Sequence, residues 1–299
     1  MILCCGEALI DMLPRETAEG EPAFAPHPGG SVFNTAIALG RLGAPAGWFG
    51  GLSTDLFGTM LDRALSESRV DTTLAVRSDR PTTLAFVTLT DGHARYAFYD
   101  ENTAGRMLAP ADMPQPRPEV RALFFGGISL VAEPAADALA AFCEDAGDRV
   151  VMLDPNIRAG FVTDETRYRE RLAGMLARAD IVKISDEDMA WLNVTPADLL
   201  GLGAALVVVT KGADGVDAHL PGEMLRVPAR PVTVVDTVGA GDTFNAGLLA
   251  GLDRAVLLDR AALRAASGDA LEPALTLGVA AAAITVSRAG ANPPWDNEL

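Results

Sequence analysis

The chain has 299 residues, 49% of them hydrophobic and 21% charged, which is enough apolar material for a large globular core. It carries 24 Lys and Arg against 40 Asp and Glu, and the resulting net charge of −16 argues against nucleic acid or an anionic membrane as partner. Cys4, Cys5 and Cys143 match neither a zinc spacing nor a disulfide framework, and no uninterrupted apolar run reaches the roughly 18–20 residues of a membrane span.

Residues 1–9 are an apolar run that fits a central strand, and no basic leader precedes it, so the cytoplasm is the expected location. Asp11 reads by itself as an ordinary strand-end carboxylate. Residues 14–28 are rich in Pro, Gly and Glu and suggest an exposed excursion. A dinucleotide-binding fold would place a G-x-G-x-x-G turn and a helix directly after the first strand. Neither is present, which weighs against a nicotinamide-dependent oxidoreductase.

The chain returns at Gly29-Gly30-Ser31, where Ser31 is the expected N-cap of a helix over residues 32–42. Glycines 29 and 30 allow a ligand to approach the backbone, and Asn34 offers both a donor and an acceptor to hydroxyl groups. The same residues, taken alone, also fit a plain helix start and a solvated amide. Residues 82–90 and 94–99 are short β-rich runs around Asp91-Gly92, a strong hairpin signal. With the excursion, they predict a small β-sheet lid from about 12–28 and 71–105, inserted in a single α/β domain spanning 1–299. Leu84, Phe86, Val87 and Phe98 read as its apolar face. That face and an unpaired edge predict a homodimer through the lid.

From residue 121 onward, strand-like runs at 122–125, 150–153, 180–184 and 206–209 alternate with helical patterns. Buried on both faces, they predict parallel strands of a doubly wound sheet flanked by helices. Ligands in such sheets sit beyond the strand C-termini. The runs end in Asp154-Pro155-Asn156-Ile157-Arg158, in Ser185-Asp186-Glu187-Asp188 and in Thr210-Lys211-Gly212-Ala213-Asp214-Gly215. The last is a weak glycine-turn signal and no Walker A loop. Residues 216–220 and 224–227 suggest a hairpin.

The most informative stretch is 232–251. Val232 to Val235 read as a buried strand, and Gly239 and Gly241 as a tight turn. Phe244, Leu248 and Leu252 then mark the apolar stripe of a helix. A strand, glycine turn and helix leave backbone N–H groups free at the helix N-terminus, a geometry that binds phosphate. Asp242 stands in that first turn. A carboxylate there would repel phosphate, yet it is well placed to take a proton from a hydroxyl attacking it. Taken alone, Asp242 reads equally as a helix-capping acid. A last helix is expected over residues 269–286.

Asp236-Thr-Val-Gly-Ala-Gly-Asp242-Thr-Phe resembles the signature D-[TS]-x-G-A-G-D-x-F of the ribokinase-like (PfkB) sugar kinases. Gly29-Gly30-Ser-Val-Phe-Asn34-Thr-Ala36, continuing to Leu42-Gly43, resembles the N-terminal signature of the same family, and the three strand-end motifs resemble its D-x-N-x-R, N-x-x-E and T-x-G-x-x-G in family order. The resemblance spans the chain. It implies a ribokinase-like fold and ATP-dependent phosphorylation of a primary sugar hydroxyl, with Asp242 as base. The amides of Gly239, Ala240 and Gly241 would form the anion hole, and Arg158 would bridge the sugar and the transferred group. Asp11, Gly29, Gly30, Asn34 and Phe98 would contact the sugar. Ser185, Thr210, Gly212, Gly215, Gly239 and Gly241 would contact ATP. Mg²⁺ is implied, with Asp188 linked to it only indirectly, and a monovalent cation such as K⁺ stands as an open companion. Ser185 and Asp188 replace the family's Asn and Glu with shorter side chains, and Val279 stands where relatives often carry an Asn facing adenine.

Residues 6–11 and 183–188 look most like those of bacterial fructokinases, with 2-keto-3-deoxygluconate kinase next and ribokinase or nucleoside kinase behind. Relatives that phosphorylate the acid commonly place an Arg after the lid strand, where this chain has Asp100 and Glu101. That substitution favours a neutral ketose. A non-catalytic sugar sensor would have no reason to keep Asp242.

Overall fold

The structure, a computed structural model, describes residues 1–90, 93–115 and 117–299, and the expected turn at Asp91-Gly92 lies outside them. The apolar runs assemble into one eight-stranded sheet. Its parallel part contains Ala46–Phe49 (β4), Ile2–Cys5 (β1), Ala122–Gly126 (β9), Val150–Asp154 (β10), Ile181–Ser185 (β11) and Leu206–Thr210 (β12), in that spatial order. Val216–Leu220 (β13) and Glu223–Val227 (β14) add an antiparallel hairpin at one edge. Alternation within β1 sends Ile2 and Cys4 to one core and Leu3 and Cys5 to the other.

One core packs against Ser31–Arg41 (α1), Leu56–Glu67 (α2), Ala240–Arg254 (α7), Arg260–Ala265 (α8) and Gly268–Val286 (α9). The other packs against Ala135–Glu144 (α3), Glu165–Arg178 (α4), Asp186–Leu192 (α5) and Pro196–Gly201 (α6). By length and composition α9 would suffice to cross a membrane, although Asp269 and Glu272 interrupt its apolar run. Here it packs against α7, and a Cβ on Gly247 would come within 2.6 Å of the Gly278 Cα. Gly51–Ser53 (β5) and Val76–Ser78 (β6) form a separate parallel pair.

A second sheet joins Pro22–Gly29 (β3), Leu9–Glu16 (β2), Thr83–Thr90 (β7) and His93–Tyr99 (β8), in that order. Residues 14–28 therefore hold strand as well as turn. Their prolines disguised it, but Pro22, Pro26 and Pro28 lie on the edge strand β3, where a missing N–H is tolerated. Pro14 lies beyond Met12, the last residue of β2 paired with β7. The expected apolar face is also split by the period of two. Leu84 and Phe86 point one way, while Val87 and Phe98 share the face of Ala85 and Asp11. On the Phe86 side, Phe24 and Tyr99 meet its ring edge-on at 5.0 and 5.4 Å and are 42% and 63% exposed.

The expected strand over Val232 to Val235 is absent. These residues run irregularly, and Val232, Val234 and Val235 are between 41 and 60% exposed. The amides of Val235 and Asp236 donate to the carbonyl of Val286 on α9, at 2.8 and 3.2 Å, instead of joining a ladder. β-Branched composition suits a cavity wall as well as a strand, and Val232 and Val234 line a cavity here.

Candidate active site

Two cavities meet at the N-terminus of α7. One, of about 360 Å³, is lined by Asp11, Gly30, Asn34, Phe98, Arg158 and Asp242 among others, with the Gly239–Gly241 turn beneath them. The other, of about 610 Å³, is lined by Thr210, Gly212, Gly215, Val232, Val234, Val279 and Val286. Thr237, Ala240 and Gly241 belong to both walls. Gly239 supplies the left-handed residue at which the chain enters the helix (φ 76°).

Asp242 is buried in the first turn of α7 and held from α1. Ser31 Oγ donates to Asp242 Oδ1 at 2.8 Å, and Asn34 Nδ2 donates to Oδ2 at 2.9 Å. Asn156 Nδ2 in turn donates to Ser31 Oγ at 2.9 Å. Burial pushes the Asp242 carboxyl up to about 6, against the pull of these donors. Asp11 is also raised to about 6, first by burial and then by the charge of Asp242. A Cβ on Gly29 would lie 2.2 Å from Asp11 Oδ2, so the glycine makes room for that carboxylate; Gly29 itself does not line the cavity.

Ser31 is not the N-cap. Gly30 holds the cap position, and the amide of Val32 donates to Glu7 Oε1 at 3.2 Å. Glu7 Oε2 accepts from the amide of Ser129 at 3.3 Å, so one buried carboxylate ties together two chain segments; burial pushes it up to about 7. Capping from 24 positions upstream of Ser31 leaves its hydroxyl for Asp242. A local reading of helix starts assumes that the cap comes from the adjoining residue.

The second cavity is a main-chain construction. Gly212 and Gly215 take positive φ of 54° and 89°, and a Cβ on Gly215 would come within 2.2 Å of the Val227 carbonyl oxygen. Thr210 stands at the end of β12 beside them.

A profile of the pfkB family carbohydrate kinases matches residues 1–298. The chain belongs to that family. A fructokinase of Rhizobium leguminosarum bv. trifolii is 50% identical over 267 residues, 87% of this chain and 82% of that one. A crystal structure of a fructokinase from Xylella fastidiosa with bound ATP superposes with a TM-score of 0.89 at 29% identity, covering 97% of this chain and 93% of that one. An aminoimidazole riboside kinase from Salmonella enterica, complexed with aminoimidazole riboside and an ATP analogue, gives 0.85 at 26% identity, covering 99% and 97%. The fold is the ribokinase-like α/β fold expected of a pfkB kinase.

Other residues of this pfkB kinase stand apart from both cavities. Ser185 caps α5, accepting from the amide of Asp188 at 3.0 Å. Asp188 Oδ1 accepts from the amide of Ile157 at 3.0 Å and so fastens the loop that carries Arg158. Neither residue lines a cavity wall. Arg158 does line the first cavity; it is exposed and donates to the Ile157 carbonyl at 3.2 Å. Among the described residues there is no cluster of three or more His, Cys, Asp or Glu able to cage a metal.

Asp100 does not face the first cavity. Its Oδ1 accepts from the hydroxyls of Thr83 and Thr103, each at 3.1 Å, and it pairs with Arg106 at 3.7 Å. The carboxylates on that cavity wall are Glu7, Asp11 and Asp242. Sequence alone assigns Glu7 no role, offers Ser31 only as a helix cap and Asn156 only as a member of the strand-end motif, whereas here the three form the network that holds α1 and Asp242. Asn156 takes a left-handed φ of 43°, which Asn tolerates.

Proposed function

We propose that this kinase transfers phosphate from ATP to a primary hydroxyl of fructose. The observation that carries the reading is Asp242, held in one orientation by Ser31 and Asn34 where the two cavities meet. A sugar hydroxyl in the smaller cavity would lose its proton to Asp242 as it attacks. The amides of Gly239, Ala240 and Gly241, at the positive end of the α7 dipole, would take up charge on the transferred group, with Arg158 beside them. ATP would supply the phosphoryl group, and Mg²⁺, when bound with it, would neutralise part of its charge. Thr210, Gly212 and Gly215 would receive the nucleotide. Asp11, Gly30, Asn34 and Phe98 would hold the sugar, and the four-stranded sheet would cover it and exclude water.

The fructose assignment rests on the likeness to fructokinases and on charge. Asp11 and Asp242 on the wall of the smaller cavity disfavour a sugar acid against the pull of Arg158 and Lys183, and with the likeness to a fructokinase they put the neutral ketose ahead of 2-keto-3-deoxygluconate. In an ADP-release assay across sugars and nucleosides, kcat/KM for fructose should exceed that for 2-keto-3-deoxygluconate at least roughly tenfold, about 1.4 kcal/mol. Equal or reversed values would remove fructose while leaving the kinase. A second copy of the chain is proposed to cover the exposed ring pair Phe24 and Tyr99, and light scattering at micromolar concentration should then give a dimer mass. The cytoplasm is proposed as the compartment, in keeping with three buried, unpaired cysteines.

A further inference from the structure

Lys183 is the third residue of β11, a strand between β10 and β12 with helices over both faces. A lysine buried in such a strand is costly unless it is paired. Its Nζ lies 3.1 Å from Asp154 Oδ2, which is itself fully buried, and Asn245 Nδ2 donates to the same oxygen at 2.8 Å. Asp154 Oδ1 and Asn245 Oδ1 are buried with no hydrogen-bond partner. A buried ion pair with two unsatisfied acceptors is a poor stabiliser, and apolar side chains of similar volume would hold a parallel strand better.

The location explains what stability does not. Lys183 is one of the residues lining the smaller cavity, with Asn156, Arg158 and Asp242. A Cβ built on Gly241 would lie 3.3 Å from Lys183 Nζ, so the charge sits against the turn where the two cavities join. Among the described residues, Arg158 and Lys183 are the cations on that wall; Arg158 is exposed, and Lys183 is the one fixed from below.

We infer that Lys183 is a catalytic residue of the proposed transfer, a buried cation that Asp154 and Asn245 hold against Gly241 to stabilise the oxygens of the migrating phosphoryl group. The bond from the sugar oxygen to the terminal phosphorus forms as the bond to the bridging oxygen of ATP breaks. The sugar proton passes to Asp242, and Lys183 keeps its own protons throughout. Without it, that wall would set only the backbone amides and the exposed Arg158 against the charge, in a protein whose net charge is −16. Lys183 also favours the charged form of Asp242, while Asp154 opposes it.

This inference rests on the sugar-kinase reading. The test compares wild type, Lys183→Met and the double variant Lys183→Met/Asp154→Asn, which leaves no unpaired buried charge. With fructose and ATP, the double variant should lose roughly 10²–10³-fold in kcat, the usual effect of removing one such group, while KM for fructose stays within about threefold. A double variant within about threefold of wild-type kcat would mean that Lys183 serves only to neutralise Asp154, and the inference falls. It falls likewise if KM rises as steeply as kcat drops, or if the double variant does not fold, since either outcome assigns the pair to structure. Wild type inactive on every sugar would remove the kinase reading itself and this inference with it; wild type active with unaffected variants would remove the inference alone.

Discussion

The two cavities on either side of the α7 N-terminus are built from different parts of the chain. The smaller is a lattice of side chains, with Asn156 on Ser31, Ser31 and Asn34 on Asp242, and Glu7 fastening the start of α1. The larger is made of glycine turns and valine walls, and it shares only the Thr237, Ala240 and Gly241 wall with the first. Side chains that do chemistry must be of particular types and are therefore visible in a sequence. A wall that offers main-chain amides and apolar bulk accepts many residues and leaves a weak trace.

The largest test of this contrast is Asp242→Asn. Loss of a positioned base should lower kcat by roughly 10²–10⁴-fold with little change in KM for either substrate. A variant keeping more than about a tenth of wild-type kcat would strip Asp242 of that role.

A smaller effect is expected one step out in the lattice. Asp242 must be ionised to accept a proton, so kcat/KM should fall as pH drops through about 6. Asn34→Ala removes a donor that favours the carboxylate, so the acid limb should move to higher pH, with a loss at neutral pH of roughly tenfold. An unmoved limb in the pH profile of this variant would mean that Asn34 does not set the state of Asp242.

The mildest change belongs to the other wall. Val279→Ala trims a buried side chain facing the larger cavity and should raise KM for ATP roughly three- to tenfold, about 1 kcal/mol, leaving kcat and the sugar KM near wild type. If this substitution disturbs fructose and not ATP, the two cavities have been assigned to the wrong substrates.

The same contrast explains what could be read in advance. The parallel strands were legible because helices bury both their faces, which forces continuous apolar runs. Asp242, Asn34 and the glycines of the α7 turn were legible because the spacing of their motifs is long and specific. The strands within residues 9–29 were obscured by prolines that an edge tolerates. The valines at 232–235 promised a strand because composition does not say whether a ladder partner exists. Glu7 and Lys183 act across chain separations that no local pattern encodes.

The bonds from Ser31 and Asn34 to Asp242 join residues separated by 211 and 208 positions. Contacts of that span close the longest loops, and they form only when distant segments have already docked. A ribosome that has released only the first two hundred residues has made the Ser31 hydroxyl and the Asn34 amide without the acid they orient. An incomplete chain therefore lacks the proposed base, and phosphoryl transfer must wait for the last third of the sequence.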